Sequence, residues 1–327
     1  MPVPLAILGI VVLGLAQIWA VLAILFGGGG ADGPTLIRFL FAVAYVATVG
    51  AAAWKAPPIT GVGTALAMVV LAGGWYSTVQ PSHDRTWSED QSRLPHPQIT
   101  GNILTVAGLR DFRYSSESDW EARWRDATYD LSKLVRGWYV VEHFSKFEGA
   151  AHAMTTFEFS DGRFLGISVE IRKEQGESYS PLRGLFRQYE IMYVIADERD
   201  VLQLRTNHRK DSDLYLYEVV AGQDATRAFL VDMMERAADI AAKPEFYNSL
   251  VDTCARNLAR HLVRVSDESL SPLNPRVLAP GYSHQLAWDL GLLGERPLEE
   301  LKVEALTRPR AAAAKDQDTY SLAIRGR

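Results

Sequence analysis

Cysteine is the residue this sequence has least of. Its 327 residues contain a single one, Cys254, so no disulfide can form within the chain. The sequence also lacks a phosphate-binding glycine loop and an HExxH metal helix. It has no dense run of lysine and arginine, and its formal net charge is −5. We therefore expect no metal, no cofactor and no nucleic-acid partner.

Charged residues are scarce in the first quarter of the chain, which holds three apolar runs. The runs are Leu5 to Phe26, Leu36 to Trp54 and Ile59 to Val79, and each is close to the roughly 20 residues that a spanning helix needs. Breaks rich in glycine or proline separate them at Gly27 to Gly33 and at Pro57-Pro58. Because two further runs follow the first, a cleaved signal peptide does not explain it. The sequence predicts an integral membrane protein with a three-helix anchor over residues 1–80.

The flanks of these runs carry few charges from which to read an orientation. Lys55 favours placing the loop after the second run on the inner side of the membrane, and Arg38 weakly favours the opposite orientation. With the N-terminus inside, three spans place everything after about Pro81 on the outer side of the membrane. A lone thiol in an oxidising compartment is more easily explained by chemistry than by packing.

The remainder of the chain predicts an α+β domain. Residues 81–100 carry three prolines and are expected to be a linker, residues 101–306 form one domain, and residues 307–327 are expected to be a flexible tail. Ala151 to Phe159, a Ser-Asp-Gly-Arg turn and Phe164 to Arg172 have the pattern of a β-hairpin. Further strand patterns precede and follow it, and helical periodicity begins after Gly222. We expect a mostly antiparallel sheet packed on helices.

Cys254 lies where a helix is predicted to begin. Thr253 or Asp252 can act as the N-cap, and Ala255 to Val265 has the helical pattern. Free amide N–H groups and the positive end of the helix dipole converge on the first turn, where they stabilise a thiolate. The alternative is a buried structural cysteine, since free cysteine is among the most buried residue types.

A cysteine nucleophile needs a base and a third group that orients the base. His152 opens a predicted strand, from which its side chain can face a helix packed on the sheet. The other histidines considered are less well placed: His83 and His96 lie in the linker, His208 in a charged turn, and His261 and His284 on helices. Cross-strand pairing can bring Glu170 beside His152. The alternative for Glu170 is a salt bridge with Arg172 or Lys173, and Ser168 or a backbone carbonyl would then be the third group.

Several segments in one order resemble the Lnb N-terminal periplasmic domain family over about Asn102 to Leu293. They are AHAMTTFEF, SVEIRKE, GLFRQYEIMYVIADERD, LRT, PEFYNSL before the cysteine, and PGYSHQLAWDLGLL. That family is named for an enzyme that makes lyso-form lipoproteins. The order of histidine strand and cysteine helix is similar to that of circularly permuted papain-like enzymes. The resemblance implies a permuted papain-like fold, with Cys254 as nucleophile, His152 as base and a polar third residue, for which we take Glu170.

The function that the resemblance implies is a thiol acyltransferase of lipoprotein maturation, located in a bacterial inner membrane with its catalytic domain on the periplasmic side. A phospholipid or lipoprotein ester would acylate Cys254, and the chain would pass to an amine. Residues expected around the substrate or the oxyanion are Tyr247, Asn248, Thr253 and Ser168. The alternatives are a papain-like amidase acting on peptidoglycan peptides and a non-catalytic envelope scaffold.

Overall fold

The computed structural model describes residues 3–28, 35–266, 268–271, 273–314 and 319–327. The helices are α1 Val3–Phe26, α2 Thr35–Lys55, α3 Pro58–Thr78, α4 Glu198–Gln203, α5 Gln223–Ala242, α6 Cys254–Val265, α7 Pro275–Leu278, α8 Ser283–Asp289, α9 Leu298–Ala305, α10 Arg308–Ala313 and α11 Tyr320–Ala323. The strands are β1 His96–Thr100, β2 Ile103–Arg110, β3 Arg113–Tyr114, β4 Trp120–Glu121, β5 Trp124–Asp130, β6 Leu134–His143, β7 Ala151–Phe159, β8 Phe164–Arg172, β9 Glu190–Asp197 and β10 Asp213–Val219.

The first three helices confirm the predicted anchor. Each is long and apolar enough to cross a membrane. Most of their large apolar side chains are exposed on the protein, as Ile10 is at 72% and Ile59 at 84%, which suits contact with lipid rather than water. The break at Pro57-Pro58 separates α2 from α3, and the glycine-rich break lies largely outside the described residues. The protein is therefore an integral membrane protein.

Polar contacts hold the three membrane helices together. The Tyr45 hydroxyl on α2 donates to Gln17 Oε1 on α1 at 2.6 Å, and Gln17 Nε2 donates to the Ala65 carbonyl on α3 at 3.0 Å. Small residues, Ala20 and Ala72, fill the contact around them. Small residues let helix backbones approach closely and buried amides link them, which is how helices associate in a membrane.

Eight strands of the described chain form one mixed sheet, in the order β1-β2-β9-β8-β7-β6-β10 with β5 also paired to β2. Antiparallel pairings are β1/β2, β2/β5, β6/β7, β7/β8 and β6/β10, whereas β2 and β9 are parallel where Arg110 meets Ala196. The β7/β8 hairpin is the predicted one, with register Met154 to Ser168. The α+β prediction with a mostly antiparallel sheet is confirmed.

The chain divides into two compact units. The first holds residues 1–88, 173–190 and 245–249, and the second holds the rest. In the first unit, Arg187 donates through Nη1 to the carbonyls of Tyr76 at 2.9 Å and Val79 at 3.1 Å, at the end of α3. Two segments of the predicted 101–306 domain therefore pack with the anchor. The predicted 81–100 linker also needs correction, because its last five residues are strand β1.

The prediction of a flexible tail over residues 307–327 is wrong for its described part. Tyr320 and Ile324 are fully buried, four residues apart on one helical face. The Arg325 guanidinium lies 2.5 Å from the Glu198 carboxylate, and both side chains are almost completely buried. The Arg325 guanidinium also lies over the Trp138 ring, 4.5 Å from the ring centroid. The last residues thus belong to the core of the second unit.

Replacing Arg325 by methionine should destabilise the second unit. Glu198 would keep its charge without a partner in the interior, and breaking one side of a buried ion pair costs about 3 to 5 kcal/mol. Chemical unfolding of the full chain in detergent micelles, followed by tryptophan fluorescence, measures the change. The double variant Arg325→Met with Glu198→Leu should recover most of the loss, and equal stability of wild type and Arg325→Met would contradict a buried tail.

Candidate active site

Cys254 is the first residue of α6, as predicted. Thr253 is the N-cap, and its hydroxyl accepts a hydrogen bond from the Arg256 amide at 3.2 Å. The Asn257 side chain fixes the same turn from within, since its Nδ2 donates to the carbonyls of Asp252 at 3.0 Å and Thr253 at 3.1 Å. Cys254 itself is 9% exposed. A capped, rigid first turn therefore holds the thiol in one place with little access to solvent.

Strand β7 supplies two contacts to that thiol. The His152 imidazole interacts electrostatically with the thiol, and each of the two side chains shifts the pKa of the other toward its charged form. The Ala153 amide N–H, next along the strand, donates to Sγ at 3.3 Å. An imidazole and a backbone donor on one sulfur both favour the thiolate. Sequence patterns had no signal for the Ala153 amide, because any residue supplies a backbone N–H.

Two side chains of β8 meet the imidazole of His152. Its Nε2 lies 2.5 Å from Ser168 Oγ and 3.2 Å from Glu170 Oε1. The Ser168 hydroxyl donates in turn to Glu170 Oε1 at 2.7 Å. With Nε2 engaged on this side, Nδ1 is left for the thiol. The structure therefore brings together Cys254, His152, Ser168 and Glu170, and the place of Ser168 near the substrate or the oxyanion stays a prediction.

Glu170 is tied to a buried arginine that the sequence analysis missed. Arg205 donates through Nη2 to Glu170 Oε1 at 3.1 Å and through Nε to Glu142 Oε2 at 2.7 Å. Arg172, the partner considered earlier, instead donates to the backbone carbonyls of Gln91 and Ser92. Arg205 stands on a π-helical turn, Leu204–His208, a local distortion that often occurs at functional sites. Its only sequence signal is the short LRT segment of the resemblance.

Glu142 closes this network from strand β6. It is directly opposite His152 in the β6/β7 register and has no exposed surface. Besides Arg205, it accepts from Arg209 Nη1 at 2.8 Å and from the Ser212 hydroxyl at 2.8 Å. Burial would raise the pKa of Glu142, but the two arginines outweigh it and hold the pKa below its usual value. Glu142 therefore remains a charged group behind the histidine.

The charges in the site favour a thiolate and an imidazolium. Burial works against the charged form of His152, yet Glu170 and Cys254 outweigh it and raise the pKa of His152 to about 10. Burial would likewise raise the pKa of Cys254, but His152 and the Ala153 amide lower it. The pKa of Glu170 lies well below its usual range, because His152 and Arg205 overcome its burial. The interaction between the two groups therefore favours a thiolate on Cys254 and an imidazolium on His152.

Two further predicted site residues, Tyr247 and Asn248, belong to the first compact unit. The Tyr247 amide donates to the Tyr189 carbonyl of that unit at 2.9 Å, and the part of both residues in substrate binding stays a prediction. His261, on α6, is bonded through Nδ1 to Asp232 at 2.5 Å and through Nε2 to the Tyr193 hydroxyl at 2.7 Å. This second histidine network ties α5 and α6 to β9 and does not include the thiol.

The lowered pKa of Cys254 predicts a weaker pH dependence of its alkylation. Because the thiolate fraction at neutral pH exceeds that of an ordinary thiol, the iodoacetamide rate should rise less between about pH 7 and 8 than the rate of an ordinary thiol does. An ordinary thiol with a pKa near 8.5 gains about eightfold over that interval. Intact mass of the full chain measures the rate, and Cys254→Ser gives a background without any thiol. A gain as large as that of the ordinary thiol would argue against a lowered pKa of Cys254.

One comparison with known proteins finds a match, and it covers the whole of this site. The family model described as the Lnb N-terminal periplasmic domain matches residues 120–281, inside the stretch that the resemblance indicated. No curated protein and no solved structure shows significant similarity to the chain. The matched residues include every member of the network from Glu142 to Cys254. Residues 120–281 of this membrane protein are a member of the Lnb N-terminal periplasmic domain family.

Proposed function

We propose that this protein is a cysteine-dependent acyltransferase that moves an acyl chain from a membrane lipid to an amine. The observation that carries the proposal is the position of His152, which Ser168 and Glu170 hold on one side while the adjacent Ala153 amide donates to the Cys254 thiol. A nucleophile, a base and an orienting carboxylate in this order constitute a catalytic triad. The arrangement, with the histidine strand before the cysteine helix, supports a permuted papain-like site.

The first half of the reaction acylates Cys254. The thiolate attacks the ester carbonyl, a carbon–sulfur bond forms, and the carbon–oxygen bond to the lipid alcohol breaks. The His152 imidazolium gives its proton to the departing alkoxide, which leaves as the alcohol. The amides of Cys254 and Ala255 in the first turn of α6 have no acceptor within the helix, so they can stabilise the oxyanion, whereas the Arg256 amide is bonded to Thr253. The products of this half are a thioester, a neutral His152 and a lysolipid.

The second half transfers the chain to an amine. The amine nitrogen attacks the thioester, a carbon–nitrogen bond forms, and the carbon–sulfur bond breaks. Neutral His152 takes the proton from the amine, which restores the thiolate and imidazolium pair. Family membership supports the amino group of a lipoprotein N-terminal cysteine as the acceptor. It also supports a periplasmic location for this domain, with the anchor in the inner membrane of a bacterium.

The anchor supports a lipid donor. Three membrane helices exceed what a soluble-substrate enzyme needs for attachment, and residues 173–190 and 245–249 pack with them in one unit. In that unit Phe186 lies 6.3 Å from Phe26 at the end of α1, between ring centroids. A lipid acyl chain that reacts near its own bilayer need not cross water.

Incubation of the full chain with a phospholipid and a lipopeptide bearing a free N-terminal amine tests the proposal. We expect the intact mass of wild type to increase by one acyl chain on Cys254, and the lipopeptide to gain the same mass. Cys254→Ala and His152→Ala should each abolish turnover, and the double variant should be no worse, since residues that act as a unit are not additive. Cleavage of peptidoglycan peptides without an acyl adduct would instead indicate an amidase, and absence of both would leave a non-catalytic scaffold.

Glu170→Gln should lower the rate while leaving the fold intact. The amide keeps one acceptor for Ser168 but loses the charge that stabilises the imidazolium, so turnover should fall by roughly tenfold to ten-thousandfold. The alkylation profile of Cys254 should also shift toward that of an ordinary thiol.

The matched control is Glu158→Gln, because Glu158 lies on β7 on the same face as His152. Glu158 is a buried carboxylate with its own arginine partner, Arg327, 2.7 Å away. It should leave turnover within about twofold, because it is not part of the network that holds His152. If Glu170→Gln and Glu158→Gln lower turnover equally, Glu170 has only a structural role.

A further inference from the structure

An apolar cavity of about 190 Å³ lies in the second unit beside α6. Helices α5, α6 and α8 and strands β6 and β7 line it, with Phe157, Phe229, Leu258, Leu262 and Leu286 among the contacts. It is open to solvent on one side, because Phe229, Leu262 and Leu286 are only partly buried. The mechanism above makes no use of this space.

The hydroxyl groups that line the cavity are already satisfied. Tyr139 donates to Ser283 Oγ at 2.6 Å, Thr226 donates to the Gly222 carbonyl at 3.1 Å, and Thr155 contacts Met233 Sδ at 3.6 Å. Ser283 donates in turn to the Pro280 carbonyl. A peptide or sugar would need free donors and acceptors on the walls. Trp138 also lines the cavity and keeps a buried Nε1–H without a partner, and the rest of these walls suits a ligand that is a hydrocarbon.

The cavity lies next to the thiol along α6. Ala255 follows Cys254 directly and Leu258 is one helical turn beyond it, and both residues line the cavity. On β7, the Ala153 amide contacts Sγ, and the side chains of Ala153 and Thr155 point to the same face of the sheet, on which Thr155 lines the cavity.

The length of α6 limits the chain that can lie along it. Its lining residues run from Ala255 to Val265, and the 11 steps from Cys254 to Val265 rise about 16 Å at 1.5 Å each. A zigzag chain of about fourteen carbon atoms with bonds near 1.5 Å covers the same distance. The cavity of about 190 Å³ can enclose part of a fatty acyl chain attached to Sγ, and its open side leaves room for the remainder.

We propose that this cavity binds the fatty acyl chain of the Cys254 thioester and sets the chain length that the enzyme accepts. The inference rests on the proposed acyl transfer and adds the part of the donor that is recognised. Each methylene buried against the walls contributes up to about 0.8 kcal/mol, so a long chain should react faster than a short one. The occupant is a hydrocarbon chain covalently held at one end.

The test uses the full chain in detergent micelles with 4-nitrophenyl esters of four and of fourteen carbons. Release of nitrophenol gives the acylation rate, and intact mass confirms the adduct on Cys254. The measured quantity is the ratio of the long-chain to the short-chain rate constant. Ala259→Trp places an indole in the middle of the cavity, so it should lower this ratio by about tenfold or more while short-chain acylation stays within about twofold.

Val263→Trp is the matched control, because it adds the same indole to an exposed position of α6 outside the cavity lining. Its ratio should equal that of wild type. Leu262→Ala lengthens the cavity and should favour an eighteen-carbon over a fourteen-carbon ester by about fourfold, the value of one more buried methylene. This second variant decides the matter if Ala259→Trp does not fold.

The outcomes separate the two proposals. If wild type forms no adduct with either ester, the acyltransferase proposal fails. If wild type is acylated but the chain-length ratio is the same in all folded variants, the cavity does not hold the acyl chain. If Ala259→Trp slows only the transfer to the amine, the cavity binds the acceptor, and the inference is likewise overturned.

Discussion

The guanidinium of Arg205 is the interaction on which the candidate site depends. It joins the buried carboxylate of Glu142 to the partly exposed carboxylate of Glu170, and its third bond goes to the Val201 carbonyl at 2.6 Å. An isolated charge in a protein interior costs several kcal/mol, so Glu142 could not stay ionised there alone, and His152 and Arg205 hold Glu170 ionised. Without an ionised Glu170, the imidazolium of His152 would lose its main stabilisation, and the thiolate would lose its partner.

The signs alternate along the whole network. Glu170 and Glu142 carry negative charge, and His152, Arg205 and Arg209 carry positive charge, so a thiolate on Cys254 would make three charges of each sign. Each charge has opposite charges as its near neighbours. This neutrality explains how a buried site can keep a reactive ion pair, since the pair is not an uncompensated charge but the end of a balanced row.

The C-terminal residues contact the turn that carries Arg205. Arg205 stands on a π-helical turn whose next residue, Thr206, lies 2.7 Å from the Tyr320 hydroxyl, between their oxygens. The following residue, Asn207, donates to the Ala311 carbonyl at 3.0 Å. The described part of the tail thus holds the turn that aims the arginine. The packing of the tail therefore affects the position of Arg205 in the candidate site as well as the stability of the second unit.

Local signals were enough to predict the parts of the site that adjacent residues determine. Thr253 before an apolar helical pattern predicted the capped start of α6, and the turn at Asp161-Gly162 predicted the hairpin that pairs His152 with Glu170. Arg205 was not predictable in this way, because it lies 35 positions from Glu170 and its side chain reaches the site only through a distorted turn.

The prediction of a flexible tail over residues 307–327 was wrong for a similar reason. Its alanine-rich start and its charged residues resemble a solvated segment, and only the packing of Tyr320 and Ile324 and the pairing of Arg325 with Glu198 show otherwise. A partner 127 positions away leaves no pattern in the local composition. Sequence periodicity reports which face of an element is apolar, but not which distant charge will neutralise an arginine.

Strand β7 separates two kinds of environment, and the thiol lies where they meet. Its even-numbered residue His152 shares one face of the sheet with Glu142, Ser168 and Glu170, where charges are held. Thr155 and Phe157 point to the other face, where the apolar cavity lies. A thioester on Cys254 would then have its carbonyl beside the proton-transfer side and its chain on the apolar side. Because one strand fixes both faces, the geometry of proton transfer and the position of a bound chain cannot vary independently.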